Sequence, residues 1–217
     1  MQRNGSLFLN PGAHSAPYTF IASTRLLQLL QLNYFMPSYR RNYTPGGSYF
    51  FTVVTDNRAR ILLSDIARQA LRESIKDCQT RWPFDVDAFV LLEDHLHTIW
   101  TLPKDDMNYS VRWSYIKKEF SKRYLTAGGE EQKRSGSRHL RRERGIWQRR
   151  FWEHTLRDEK DFERHVDYIH YNPVKHGVVL CAKDYGYSTF RAFQKRGLYE
   201  LNWGCQVIEF DDLTVGE

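Results

Sequence analysis

Two short stretches of this chain hold side chains whose types and spacing suit phosphate chemistry. Asp94-His95-Leu96-His97-Thr98-Ile99-Trp100 places two imidazoles two residues apart inside a β-branched and aromatic run. His165-Val166-Asp167-Tyr168-Ile169-His170-Tyr171-Asn172-Pro173 places a phenol and a carboxamide four residues apart. On a strand, residues two apart point to the same side. His95 and His97 then share a face with Ile99 and Thr101, and Leu96, Thr98, Trp100 and Leu102 take the other. On a helix, residues four apart project from nearly one face, so Tyr168 and Asn172 stand together. Two imidazoles on one face form half of a metal site. Tyr168 offers a phenolic oxygen as nucleophile, and Asn172 a carbonyl oxygen to an ion held by His95 and His97. Two imidazoles, one amide oxygen and open positions suit a hard divalent ion, Mg²⁺ or Mn²⁺. Structural zinc fits less well, because no closed set of four ligands with thiolates is evident. The same residues also fit plainer roles: half-exposed histidines with water or carbonyl partners, a core aromatic, and a turn residue before proline. Residue types alone leave both readings open. His165 and His170 lie near Tyr168 in sequence, but neither is assigned as its base. His170, two residues on, points elsewhere on an ideal helix.

The elements that must carry these groups follow from periodicity. Ser48 to Thr55 reads as a strand after Gly46-Gly47. Leu63, Ile66, Ala67, Ala70, Leu71 and Ile75 repeat at helical spacing. Phe84–Leu92 and His95–Leu102 read as strands, and the short Glu93-Asp94 link makes them a hairpin. Trp113, Ile116, Phe120 and Tyr124 mark one face of a second helix. Residues 126–145 read as a loop, and Arg149 to Leu156 as a fourth strand. A helix over Asp161–Tyr171 is expected to end at Asn172, because the residue before a proline avoids α geometry. Ser188-Thr189-Phe190 and Trp203 belong to a packed C-terminal cap. The order β-α-β-β-α-β-α is that of an α+β, ferredoxin-like antiparallel sheet with packed helices. Residues 36–217 form the single expected domain. Residues 1–35 are expected to be a poorly ordered extension, with a short helix over Thr24–Asn33 compatible with its leucines.

Charge is unevenly placed. Between Lys117 and Arg150, twelve Lys and Arg face four Glu, a surplus of eight in a chain whose formal net charge is +6. A concentrated basic segment suits phosphate partners and equally a solvated loop. Arg112, Lys117, Lys118, Arg141, Arg142, Arg149 and Arg150 are the candidate contacts to a nucleic-acid backbone. Tyr115 is a tempting second tyrosine. It lies about 200° around its helix from Trp113, so it is expected to face away from the core, as a surface residue. The three cysteines, Cys78, Cys181 and Cys205, form no CxxC pair and no secreted framework. A reducing cytoplasm fits them best. No apolar run is long enough to span a membrane, and no signal peptide is expected.

From about Met36 to Trp203 the chain resembles the REP-associated tyrosine transposases, a bacterial branch of the single-tyrosine HUH transposases. The residues that carry the likeness are "DHLHTIW", similar to the family's His–bulky apolar–His motif, and "DYIHYNPVKHG", similar to its Tyr-x-x-x-Asn helix. "IWQRRFWEHTLRDEKDF" is also family-like. Residues 1–35 are not covered, and the insert around Gly128–Arg142 is longer than the family pattern. The resemblance implies an HUH fold in which a metal on His95, His97 and Asn172 polarises and positions the scissile phosphate. Tyr168 would attack it, leaving a 5′-phosphotyrosine and a free 3′-hydroxyl, so that religation or strand transfer needs no ATP. The implied substrate is single-stranded DNA bearing repetitive extragenic palindrome (REP) hairpins, acted on in the bacterial cytoplasm at the nucleoid, by a monomer or a homodimer. Two other readings of the same histidines compete. One is a metal phosphodiesterase using water as nucleophile, and the other a non-catalytic, ferredoxin-like nucleic-acid-binding module.

Overall fold

A glycine turn launches the sheet. Gly46 has φ +67°, and a Cβ there would meet the Lys104 backbone at 2.9 Å, so only glycine fits. The computed structural model describes residues 43–210 and 213. The extension over 1–35 and the helix at Thr24–Asn33 lie outside the described residues. In chain order the elements are β1 (Ser48–Val54), α1 (Asp65–Arg81), β2 (Asp85–Leu91), β3 (His95–Thr101), α2 (Tyr109–Thr126), α3 (Gly136–Leu140), β4 (Trp152–Thr155), α4 (Glu159–Lys175) and α5 (Phe190–Lys195). The sheet is antiparallel in the order β2-β3-β1-β4, the ferredoxin-like arrangement expected from the element order.

Strand alternation gives the sheet two different faces. Tyr49, Phe51, Val53, Leu96 and Trp100 point to α1 and α2, where Trp113, Ile116 and Phe120 complete the main core. Trp100 stacks on Trp113 with centroids 4.1 Å apart, and Phe51 lies 5.0 Å from Trp100. Phe50, Ala88, Val90 and Ile99 point the other way, to Val166, Tyr168 and Ile169 of α4. A register shift between Val86 and Ala88 bulges Asp87 out of β2, where its carboxylate accepts a 2.8 Å hydrogen bond from Thr101. The free side of β2 is closed by residues 187–189: Leu91 N–H donates to the Tyr187 carbonyl at 2.9 Å and Thr189 N–H to the Phe89 carbonyl at 2.9 Å. Such pairing removes an exposed strand edge. The C-terminal cap is packed as expected, with Trp203 against Tyr199 and Phe190.

Four expectations are corrected here. The helix over Asp161–Tyr171 does not stop at Asn172; α4 runs through Pro173 to Lys175. Asn172 and Pro173 are buried, and packing of that face overrides the local preference before proline. The true stop is Gly177, with φ +67°. Gly177 N–H donates to the Val174 carbonyl and Val178 N–H to the Pro173 carbonyl, both at 2.9 Å, which is a Schellman stop. The 126–145 segment is not wholly loop, since it contains α3. The fourth strand is shorter than Arg149–Leu156. Cys181 and Cys205 do pair, as a disulfide with Cα atoms 4.1 Å apart, while Cys78 is buried in the core as a free thiol. Sequence separation hid that contact, because the turn that returns the chain has no cysteine spacing of its own.

Candidate active site

The β1–β3 register sets His97 opposite Thr52. There His97 Nδ1 and the Thr52 hydroxyl lie 2.9 Å apart. His95 Nδ1 is 2.6 Å from an Asp94 carboxylate oxygen, and the other Asp94 oxygen accepts from Arg58 at 3.1 Å. Burial pushes the Asp94 carboxyl up, but the His95 hydrogen bond and charge, helped by Arg58, outweigh it and hold the group below the usual carboxylate range. Both imidazoles are buried, on the α4 side, with centroids 5.0 Å apart. With each Nδ1 turned to an oxygen, Nε2 is the nitrogen of each ring that can carry a metal. Oxygen partners on the second ring nitrogen are the usual support of metal-binding histidines.

Helix α4 lays its own row along this pair. The Tyr168 ring stands edge-on to His97 at 5.4 Å, and His176, just past the helix end, lies 5.2 Å from His95. Residues four apart stack along one helix face, so Asn172, fully buried, falls between them. Tyr168, Asn172 and His176 thus run alongside His97 and His95. The Tyr168 ring also meets Phe50 and Phe210, and the Lys175 ammonium donates to its phenolic oxygen at 2.9 Å. The donor set, two neutral-capable imidazoles and an amide oxygen, fits a divalent ion with open positions. The structure therefore sets Tyr168 beside His97 and His95, with Asn172 on the same buried row of α4. It adds Thr52, Asp94, Lys175 and His176. Of these, Lys175 and His176 carried a signal in the sequence, since i+7 and i+8 lie on the Tyr168 face.

His170 behaves as expected and points away. Burial pushes its pKa down to about 3, and its ring joins Tyr199 and Thr189 at 3.0 and 2.8 Å. Tyr199 spends its proton on Asp167, so His170 Nδ1–H donates to Tyr199 and Nε2 accepts from Thr189. This chain ties the C-terminal cap to α4. At the other end of the helix, His154, Asp161 and His165 bring three ligand atoms within 4.8 Å of one another. Asp161 is their hub. It accepts from His154 Nε2 at 2.9 Å and from the Arg157 backbone and side chain, while His165 Nδ1 donates to the Asp161 carbonyl at 2.7 Å. Three of these bonds converge on one carboxylate oxygen, Oδ2, so the hub anchors the tyrosine helix to β4. Burial raises the Asp161 pKa, but these hydrogen bonds more than offset it and hold the value at about 2.

The basic segment forms a groove of roughly 960 Å³ between α2 and residues 138–151, lined by Lys117, Lys118, Arg141, Arg142, Arg149 and Arg150. Arg141, Arg142 and Arg150 are exposed. Lys117 also holds the loop, donating to the carbonyls of Gln148 at 2.5 Å and Arg149 at 3.3 Å. Arg112 is a correction. It is 1 % exposed and donates to the carbonyls of Trp82, Asn108 and Pro83 and to Asp106. A guanidinium so enclosed joins the α1–β2 turn to α2 and presents nothing to DNA. Tyr115 is corrected in part. It is half-buried, edge-on to Trp82 at 5.4 Å, and it lies with the α1/α2 core, whereas the imidazoles point to the opposite face.

This fold and this pair of motifs define a transposase of the IS200-like kind, and the family model for IS200-like transposases matches residues 44–172. The chain belongs to that family and, within it, to the REP-associated tyrosine transposases, which are DNA-cleaving enzymes. It is 42% identical over 175 residues to the REP-associated tyrosine transposase of Escherichia coli K12, covering 81% of this chain and 95% of that one. A Haemophilus influenzae relative of the same kind is 43% identical over 169 residues, covering 78% and 94%. A solved structure of a REP-associated tyrosine transposase bound to a REP hairpin superposes with TM-score 0.67 at 40% identity, covering 84% of this chain and 98% of that one. Among the described residues, no helix is long and apolar enough to cross a membrane.

Proposed function

We propose that this chain cleaves and rejoins single-stranded DNA beside REP hairpins, with Tyr168 as nucleophile and a 5′-phosphotyrosine intermediate. One observation carries the reading: the phenol of Tyr168 stands against His97 at 5.4 Å, on the helix row that runs along both imidazoles. A water-using phosphodiesterase has no need of a buried tyrosine at that place. His95, His97 and Asn172 would hold Mg²⁺ or Mn²⁺, which supplies a Lewis acid for the scissile phosphate. Thr52 and Asp94 fix the two rings. Packing of Phe50, Phe210 and His97 around Tyr168 fixes the direction from which its oxygen meets phosphorus. Such pre-alignment is a large part of any displacement reaction. The link to protein conserves the phosphodiester bond energy, so the 3′-hydroxyl can return and reseal the strand.

The basic groove on the α2 side is read as the backbone-binding surface, through Lys118, Arg141, Arg142 and Arg150, with Lys117 and Arg149 shaping it. Contacts of this kind give affinity and register without reading bases.

The test is incubation of the protein with end-labelled single-stranded DNA carrying a REP hairpin, with Mn²⁺ or Mg²⁺, followed by denaturing electrophoresis and peptide mapping. The expected product is a covalent adduct on Tyr168, absent in His97→Ala. Cleavage without adduct would assign the site to hydrolysis, and binding without either would leave a DNA-binding module.

A further inference from the structure

The tyrosine site contains a cation for which the reading above has no use. Lys175 Nζ lies 2.9 Å from the Tyr168 phenolic oxygen and 4.7 Å from the centroid of its ring. A lysine ammonium has donors only. The phenolic oxygen is therefore the acceptor, and the phenol's own hydrogen points elsewhere. Lys175 reaches back two turns to make this contact. A last-turn lysine that served only the helix dipole would turn to the terminal carbonyls. The lysine is held at its root as well, since the Schellman stop at Gly177 ends the helix just beyond it. Tyr168 is 2 % exposed whereas Lys175 is exposed. The ammonium thus marks the solvent side of the phenol, where a DNA strand must arrive.

We propose that Lys175 is a second catalytic side chain of this site, holding the phenolic oxygen in the free enzyme and neutralising the scissile phosphate as Tyr168 attacks; this rests on Tyr168 being the nucleophile. The step is a displacement at phosphorus. The Oη–P bond forms, the P–O3′ bond breaks, the phenol's proton passes to solvent, and the departing 3′-oxygen takes a proton from water. Lys175 keeps its protons throughout. An ammonium within hydrogen-bond distance of the attacking oxygen is also within reach of a non-bridging oxygen, because both become ligands of one phosphorus. Negative charge grows on those oxygens in the transition state, where a fixed cation is most effective.

The test is single-turnover cleavage of the hairpin-bearing strand in saturating Mn²⁺, together with the Kd of the same strand, for the parent protein, Lys175→Met, Lys175→Gln, Lys175→Arg and Tyr168→Phe. Lys175 is exposed, so its variants should fold, and melting temperatures check this. The expected result is that Met and Gln slow the chemical step by about 10²–10³-fold, the usual cost of one preorganised charge-stabilising donor. The Kd should stay within about twofold, and Arg should stay within about tenfold of the parent rate because it keeps the charge. A Lys175→Met rate close to the parent's, a loss confined to Kd, or an Arg variant as slow as Met would each overturn the proposal. Tyr168→Phe separates the two ideas. A covalent adduct persisting in that variant sinks the nucleophile assignment, whereas a dead Tyr168→Phe beside a normal Lys175→Met sinks the lysine alone.

Discussion

The two faces of the sheet are built to different rules. The face under α1 and α2 is a close aromatic pack in which Trp100, Trp113 and Phe51 touch one another. The face under α4 buries imidazoles, a phenol and a carboxamide, and supports them with Thr52, Asp94 and Lys175. β1 and β3 serve both, since alternate residues of one strand point to opposite sides. On the proposed function, stability and chemistry are thereby assigned to different side chains of the same strands, without a domain boundary. Neighbours such as His97 and Thr98 are bonded in sequence and answer to different requirements.

If the faces are separable, substitutions should divide cleanly between stability and chemistry. The largest effect is expected from Tyr168→Phe, which should remove adduct and cleavage on the order of 10⁶-fold, the scale of deleting a nucleophile. Its stability should fall by only about 1 kcal/mol, for one lost hydrogen bond. Tyr115→Phe, on the other face, should cleave like the parent, so gel assays of the pair test the division directly. Trp113→Ala should do the reverse. It should lose about 3–5 kcal/mol in urea unfolding, as large core deletions do, while the molecules that remain folded keep their single-turnover rate. A slowed rate in those molecules would show that the faces are coupled. Thr52→Val keeps the shape of the side chain and removes the oxygen on His97. It should raise the metal concentration needed for half-maximal cleavage by about 10–100-fold, with the maximal rate less affected. Charge-neutralising changes at Arg141 and Arg142 should flatten the log–log salt dependence of DNA binding by about 0.7 per lost contact on single strands and about 0.9 on duplex. The unaltered slope would make the groove a solvated loop.

The smallest effect concerns the anchor of α4. Asp161 is held at about 2 in the fold, below the roughly 3.9 of an unfolded aspartate. A depressed carboxyl stabilises the fold above the unfolded value and loses that contribution as pH falls through the folded one. The melting temperature of the parent should therefore fall between about pH 4 and 2 more steeply than that of Asp161→Asn. Parallel curves would mean that the hub does not stabilise the fold.

Much of this arrangement is legible in the sequence. His95 and His97 were placed on one strand face because period two is robust when a large apolar residue separates them. Tyr168 and Asn172 were paired by helical spacing, and that survived the error at Pro173 because the error moved the end of the helix and not its phase. Arg112 departs from its sequence expectation for a definite reason. Its charge suggested phosphate, but a guanidinium can also satisfy several backbone carbonyls at once, and no local pattern announces which carbonyls the fold will bring. Thr52 was invisible for a similar reason, since its role depends on cross-strand register. Lys175 lies at i+7 from Tyr168, but only its partner atom makes it more than a helix-end lysine.

The strip that closes the edge of β2 has a consequence for the order of assembly. Thr189 binds Phe89 from a hundred residues away, and the C-terminal cap ties onto α4 through Tyr199 and His170. Among the described residues, every strand and both helices of the aromatic face precede α4 in the chain. A growing polypeptide can therefore bury that face early, while contacts this distant in sequence are slow to form. The Tyr168 helix and its cover are made last. During synthesis the molecule is expected to complete its aromatic half before its imidazole half, so that a chain interrupted after β4 would be folded on one side and, on the proposed function, unable to attach to DNA.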